Sequence, residues 1–249
     1  MLQQTQVARV IPVWTRFIDE FPTPEVCAAA PLAQVLRAWQ GMGFARRARY
    51  LHECAKTIVD IHHGRVPQAV AELRALPGIG SYTAHAVASF AFNSPVAVLD
   101  TNVGRVVARA IANRRLTPRE AQAVASELLV TSAPAQWNQL MLDLGAQFCR
   151  ATPLCDECPV RRHCEWHQQG GDDPAIKSGG VSKPQSKFAG SKRQQRGLVL
   201  RALGAGPSTK RQLGEVDGID ENRLDEVLAE LSLDGLVARR GSKYQLPGD

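Results

Sequence analysis

The chain has 249 residues, a formal net charge of +6 and a pI of about 9.2. That length holds one sizeable core plus a small second domain, and the modest positive excess suits a polyanionic partner without requiring one. No run of apolar residues is long enough for a membrane span. The start, MLQQTQVARVIPVW, has no signal-peptide pattern, and six cysteines are too few to staple a chain this size, so a reducing, cytoplasmic setting is expected.

The first two thirds read as helices joined by short loops. Val7, Val10, Ile11, Trp14, Phe17 and Ile18 recur at helical spacing until Pro22 and Pro24 end the pattern. Helices follow over 31–39, 44–62, 69–75, 81–92, 101–111, 117–129 and 134–148, and only 96–99 looks extended. Residues 170–192 are rich in Gly, Ser, Pro and Lys and read as a flexible linker. Periodicity then returns in three short helices, with Thr209 and Asp220 as candidate caps. Two apolar stretches flanking Gly241-Ser242 read as a β-hairpin. The expected organisation is an all-α domain over 1–169, a linker over 170–192 and a winged-helix-like α+β domain over 193–249.

Two features carry chemistry. In Leu76-Pro77-Gly78-Ile79-Gly80, the glycines permit a tight turn and close backbone approach. The amides there and at the start of the next helix can then face a phosphate, which positions a protein on DNA without reading its sequence. Cys149, Cys155, Cys158 and Cys164 have the spacing C-x5-C-x2-C-x5-C. Four clustered thiols bind zinc or an iron–sulfur cluster, and a single short-spaced pair favours [4Fe–4S] over the two short pairs usual for zinc. Cys27 and Cys54 stand apart and read as small buried apolar residues.

The hairpin, LDTNVGRV and the cysteine loop resemble the helix-hairpin-helix DNA glycosylases, the superfamily that contains endonuclease III. MLQQTQ, WQGMGFARRARYL, LPGIGSYTAHAVASFAF and MLDLGAQFC resemble its MutY branch, the A/G-specific adenine glycosylases, over about residues 1–166. The resemblance implies a two-lobed helical fold with the substrate base flipped out of the duplex, a [4Fe–4S] cluster on the four cysteines, and a monomer acting on double-stranded DNA with a mismatched or oxidised base pair. It implies Asp100 as the carboxylate that stabilises a developing oxocarbenium charge, which is sound electrostatics. Gln3 and Gln4 match glutamines at the cleft, and Phe44 stands where the family has a tyrosine beside the opposite-strand lesion. Arg46, Arg47 and Arg49 suit phosphate contacts, and Asn102 and Arg105 match the phosphate-side and structural positions of the Asp100 helix. Leu76, Gly78 and Gly80 form the DNA-gripping hairpin. Tyr82 takes the place of the lysine that forms a Schiff base in bifunctional relatives. A phenol cannot form that imine, so a monofunctional enzyme is expected.

The chain departs from the family pattern in three respects. The family's catalytic glutamate lies two residues before the methionine of MLQQT, which is Met1 here. Adenine leaves well only when protonated, which is general-acid work, so a reading frame begun too late is expected. The first cysteine interval is one residue short of the usual pattern. The usual Nudix-like C-terminal domain is replaced by the winged-helix-like tail, whose Arg239, Arg240 and Lys243 are candidate DNA contacts beside a protein-interaction or packing role. Besides adenine excision, a thymine glycosylase for G/T mismatches and an inactive lesion-binding or redox-sensing DNA protein remain open. The expected location is the cytoplasm, at the nucleoid.

Overall fold

A computed structural model describes residues 1–2, 5–182 and 187–249. Thirteen α-helices run in order among these residues. They are α1 (Val7–Glu20), α2 (Pro24–Ala29), α3 (Leu32–Ala38), α4 (Arg46–His62), α5 (Val70–Ala75), α6 (Ser81–Phe92), α7 (Thr101–Val106), α8 (Pro118–Glu127), α9 (Pro134–Gln147), α10 (Glu165–Gln169), α11 (Lys192–Ala205), α12 (Lys210–Gly214) and α13 (Glu221–Leu233). A π-helical stretch, Val107–Ala112, continues α7. Helix α2 escaped the sequence reading, which took Pro22 and Pro24 only as breakers. Pro24 stands at N1, where its missing N–H is not needed, and Thr23 caps the helix by accepting from the Val26 amide. No helix is long and apolar enough to cross a membrane.

The expected hairpin forms a three-stranded antiparallel sheet with strand order β1-β3-β2, from β1 (Ser208–Thr209), β2 (Ala238–Arg240) and β3 (Lys243–Gln245). Ser208 pairs with Tyr244 and Ala238 with Gln245. Thr209 also caps α12 in a capping box with Gln212, so one residue serves strand and cap.

The chain divides into two compact units that do not follow the linker-drawn boundaries. Unit 1 is Met1–Pro67, Leu76–Gly78 and Ser186–Asp249. Its core joins the two ends of the sequence: Val13, Phe17, Val35 and Trp39 from the first helices are buried in one cluster with Val199, Leu203, Leu224, Leu231 and Leu246 from the tail. Phe17 meets Trp39 edge to face, with centroids 6.2 Å apart. The tail thus has no separate core, and truncating any one of these leucines to Ala costs about 2–5 kcal/mol.

Unit 2 is Gln68–Ala75 and Ile79–Gln185, built around Val103, Val106, Val107, Leu116, Ala121 and Met141. It also takes up the first half of the segment read as a flexible linker. Ala175 and Ser178 are buried, Ser178 Oγ accepts from the Leu116 amide at 3.0 Å, and the Gly179 amide donates to Leu116 O at 2.7 Å. Composition made 172–182 look solvated, but its anchors are single polar groups bonded to distant parts of the chain.

Candidate active site and cysteine loop

Asp100 sits where residues 96–99 enter α7. That stretch, expected to be extended, belongs to no strand. Its backbone is satisfied by side chains instead: Asn138, 2% exposed, accepts from the Val98 amide at 2.9 Å and donates to Val96 O at 2.8 Å. Gln122 donates to Ala97 O at 3.0 Å. Buried peptide groups need partners, so these two amides stand in for a neighbouring strand and fix the approach to Asp100.

The Asp100 carboxylate is held at both oxygens. Oδ1 accepts from the Val103 amide at 2.8 Å, the N-cap bond of α7, and Oδ2 accepts from Asn102 Nδ2 at 2.9 Å. Burial raises its pKa above the ordinary carboxylate range, although the bonds from Val103 and Asn102 and the charge of Arg105 pull the other way. Tyr82, in the first turn of α6, is 37% exposed. Its phenol is pushed up first by burial and then by the negative charge of Asp100, so the two groups lie within electrostatic reach.

From Asp100 a continuous polar chain runs to the cysteine loop. Asn102 Oδ1 accepts from Arg105 at 2.7 Å, and Arg105 donates to Gly145 O at 2.9 Å and Cys149 O at 2.6 Å. The approach of α9 to α7 is close: a Cβ on Gly145 would lie 2.5 Å from Asn102 O. One turn past Arg105, Arg109 is 2% exposed. It donates to Arg150 O at 2.6 Å and Ala151 O at 3.2 Å, approaches Cys149 Sγ at 3.5 Å, and forms a two-pronged ion pair with Asp173. Its guanidinium also lies 5.3 Å from the Trp166 ring centroid.

Cys149, Cys155, Cys158 and Cys164 all line one small cavity of about 30 Å³. Short 3-10 turns at Cys155–Glu157 and Arg161–His163 shape the loop. Burial raises the thiol pKa of Cys149, against the pull of Arg109. Among the described residues, no three His, Cys, Asp or Glu side chains converge tightly enough to hold a single metal ion.

The hairpin turns at Pro77-Gly78. Gly78 has φ +73°, and a Cβ there would meet Tyr50 Cβ at 2.5 Å, so glycine is required twice over. At Gly80 a Cβ would meet nothing within 4 Å, which leaves open space beside the first amides of α6. Leu76 is buried. His85 bonds back to Ser81 O at 2.7 Å.

The remaining expected contacts lie in unit 1. Phe44 is exposed, with φ +49°, just before α4. Arg46 is exposed, 3.2 Å from the Tyr50 hydroxyl and 3.5 Å from Asp234. Arg49 is committed inside the unit, to Glu53 at 2.7 Å and to Asp234 O. Gln3 and Gln4 lie outside the described residues. The sequence reading missed Arg109, Asn138 and Asp173. Arg109 had a signal, as a lone charge in the apolar run VVARAIA. Asn138 and Asp173 had none, because their partners are far away in sequence.

Comparison with known proteins accords with this geometry. Residues 1–130 match the profile of the HhH-GPD superfamily base excision DNA repair protein. The chain is 40% identical over its whole length to the adenine DNA glycosylase of Mycolicibacterium smegmatis, of which it covers 85%. It is 37% identical to the human adenine DNA glycosylase over 73% of this chain and 35% of that one. Among solved structures, a trapped endonuclease III–DNA covalent intermediate superposes with a TM-score of 0.61 at 27% identity, over 67% of this chain and 80% of that one. A thermostable thymine-DNA glycosylase gives the same TM-score at 24% identity and shares the fold. On this match and these identities, the chain belongs to the HhH-GPD superfamily of base excision DNA repair proteins and is a DNA glycosylase.

Proposed function

We propose that this protein hydrolyses the N-glycosidic bond of adenine mispaired with 8-oxoguanine or guanine in double-stranded DNA, with Asp100 as the catalytic carboxylate. The observation that carries the reading is the fixed, partly buried Asp100 carboxylate, held at both oxygens beside Tyr82. The 40% identity to an adenine DNA glycosylase supports the choice of base. As the bond from C1′ to the base breaks, positive charge grows on the sugar, and an ionised carboxylate already in place stabilises it without reorganising. Proton delivery to the departing adenine falls to a separate general acid. Water completes the hydrolysis. Tyr82 offers no amine for an imine, so the enzyme is monofunctional.

The flipped adenosine is held by DNA contacts at Leu76, Gly78 and Gly80, with Gln3, Gln4, Phe44 and Arg46 beside the mismatch. Asn102 and Arg105 act mainly by fixing Asp100, since their hydrogen bonds turn inward. Cys149, Cys155, Cys158 and Cys164 hold a [4Fe–4S] cluster, a reading supported by their spacing and by the one cavity that all four line. When bound, the cluster supplies a redox-capable centre that cross-links residues 149–164. The protein works as a monomer at the nucleoid.

The test is single-turnover base release from 8-oxoguanine:A, G:A and G:T duplexes. Free adenine from the first two supports the reading. Thymine release alone identifies a G/T thymine glycosylase. Tight binding without release of either base, with the cluster intact, identifies an inactive lesion binder.

A further inference from the structure

Residues 173–182 run along unit 2 as a strap that ends against the first turn of α7. Its near end is anchored at Asp173, which pairs with Arg109, and at Ser178 and Gly179, which bond to the Leu116 peptide groups. Beyond these anchors the strap lies on the helix that Asp100 caps. A Cβ on Gly104 would stand 3.0 Å from Gly179 O, and one on Gly180 would stand 3.2 Å from Asp100 O and from Leu99 Cγ. Glycine on both sides permits this approach, and Gly180 also needs its φ of +84°.

Thr101 ties the strap to α7. Its hydroxyl lies 3.2 Å from Gly180 O, 2.7 Å from Ser182 Oγ and 3.2 Å from the Ser182 amide nitrogen. A hydroxyl has one donor and two acceptor sites, so donating to Gly180 O and accepting from both Ser182 groups uses all three. The hydroxyl is therefore committed to the strap, one residue from Asp100. The Asp100 carboxylate is itself held by groups of α7, the Val103 amide and Asn102. That helix has only six residues before its π-helical continuation, and so short a helix draws its order from what packs against it. Asn138 and Gln122 hold the backbone before Asp100, and the strap holds the turn after it.

We propose that Thr101, seated against residues 180–182, is a positioning residue for base excision: it clamps the first turn of α7 so that the Asp100 carboxylate is in place before the substrate arrives. The charge which that carboxylate stabilises exists only as the bond to the base breaks. A loosened carboxylate would spend part of its stabilisation on reorganising, and base release would slow. The proposal rests on the reading of Asp100 as the catalytic carboxylate, and not on which base leaves.

The test is Thr101→Val in the full chain, followed by three measurements. They are single-turnover base release at saturating enzyme, affinity for the same 8-oxoguanine:A duplex, and hydrogen exchange of the Val103 amide, which donates to Asp100 Oδ1. Base release is expected to slow about tenfold with affinity unchanged, and Val103 to exchange about tenfold faster while the amides of α9 keep their protection. Thr101→Ser keeps the hydroxyl and is expected to restore both. Ser182→Ala removes one of the three bonds from an exposed position and is expected to give a smaller change of the same kind. A wild-type release rate or wild-type Val103 exchange in Thr101→Val overturns the proposal. So do parallel losses of release, affinity and protection throughout unit 2, which would make Thr101 a stability residue alone. A wild type that releases no base overturns the catalytic reading, and Val103 exchange in Thr101→Val then decides by itself whether the strap holds Asp100.

Discussion

The two units use charge in opposite ways. In unit 2 the charged and amide groups point inward: Asp100, Asn102, Arg105, Arg109 and Asp173 form one network that ends at the carbonyls of the cysteine loop, and Asn138 replaces a missing strand. In unit 1 the interior is mainly aliphatic and aromatic, with uncharged His52, Gln195 and Gln245 among its few buried polar side chains, and the arginines and lysines lie on partly exposed faces, paired with carboxylates or stacked on rings. A buried polar network fixes geometry but fails badly when one member is removed, whereas surface charges can be exchanged at little cost to the fold. Unit 2 is therefore where chemistry is positioned, and the exposed face of unit 1 is where affinity can be tuned.

Substitutions can break or sharpen that contrast. The largest effect is expected at Arg109→Met, which strands Asp173 and the carbonyls of Arg150 and Ala151. Loss of one partner of a buried pair costs about 3–5 kcal/mol, so denaturant unfolding should show a strongly destabilised protein, with loss of visible iron–sulfur absorbance on purification. Asp100→Asn should reduce base release about 10²–10³-fold, judged by single-turnover kinetics, while DNA affinity persists. Asparagine still caps α7, so the fold should survive.

The same variant carries a pH prediction. Burial raises the pKa of folded Asp100 above its unfolded value of 3.8, so the ionised carboxylate destabilises the fold at pH values above both. That penalty disappears as pH falls below 3.8. Asp100→Asn should accordingly unfold at a higher temperature than wild type near neutrality, with the gap closing as the solution is acidified. On the proposed mechanism the ionised form is the catalytic one, so base release by the wild type should fall as pH drops through the raised pKa.

Smaller effects follow. Asn138→Leu leaves the Val98 amide and Val96 carbonyl unbonded, and an orphaned buried group costs about 1–3 kcal/mol. Circular dichroism melts would show this, with base release impaired out of proportion to stability if 96–99 aims Asp100. At the other extreme, Lys192→Ala breaks exposed pairs with Glu226 and Glu230 and should leave the melting temperature unchanged. A large shift there would erase the contrast between the units.

Much of this was legible in the sequence, where local chemistry decides the outcome. The tight turn at the hairpin glycines and most helices follow from short-range rules, and they appear where expected. What escaped depends on long-range partners. Asp173 and Ser178 sit in a stretch whose composition suits a tether, yet each bonds to a group more than sixty residues away. The shared core of the first helices and the tail was equally hidden, because periodicity says which face of a helix is apolar but not what covers it. Nor did spacing show that the cysteine loop and Asp100 belong to one network, because that link runs through Arg105 and the carbonyls of Gly145 and Cys149.

The central claim is that a fixed Asp100 carboxylate drives excision of adenine. The most direct measurement is single-turnover release of free base from an 8-oxoguanine:A duplex, comparing wild type and Asp100→Asn at equal DNA occupancy. The account predicts adenine release by the wild type and a loss of about 10²–10³-fold in the variant. Equal release by both proteins, or release of thymine from G:T with none of adenine, would contradict it.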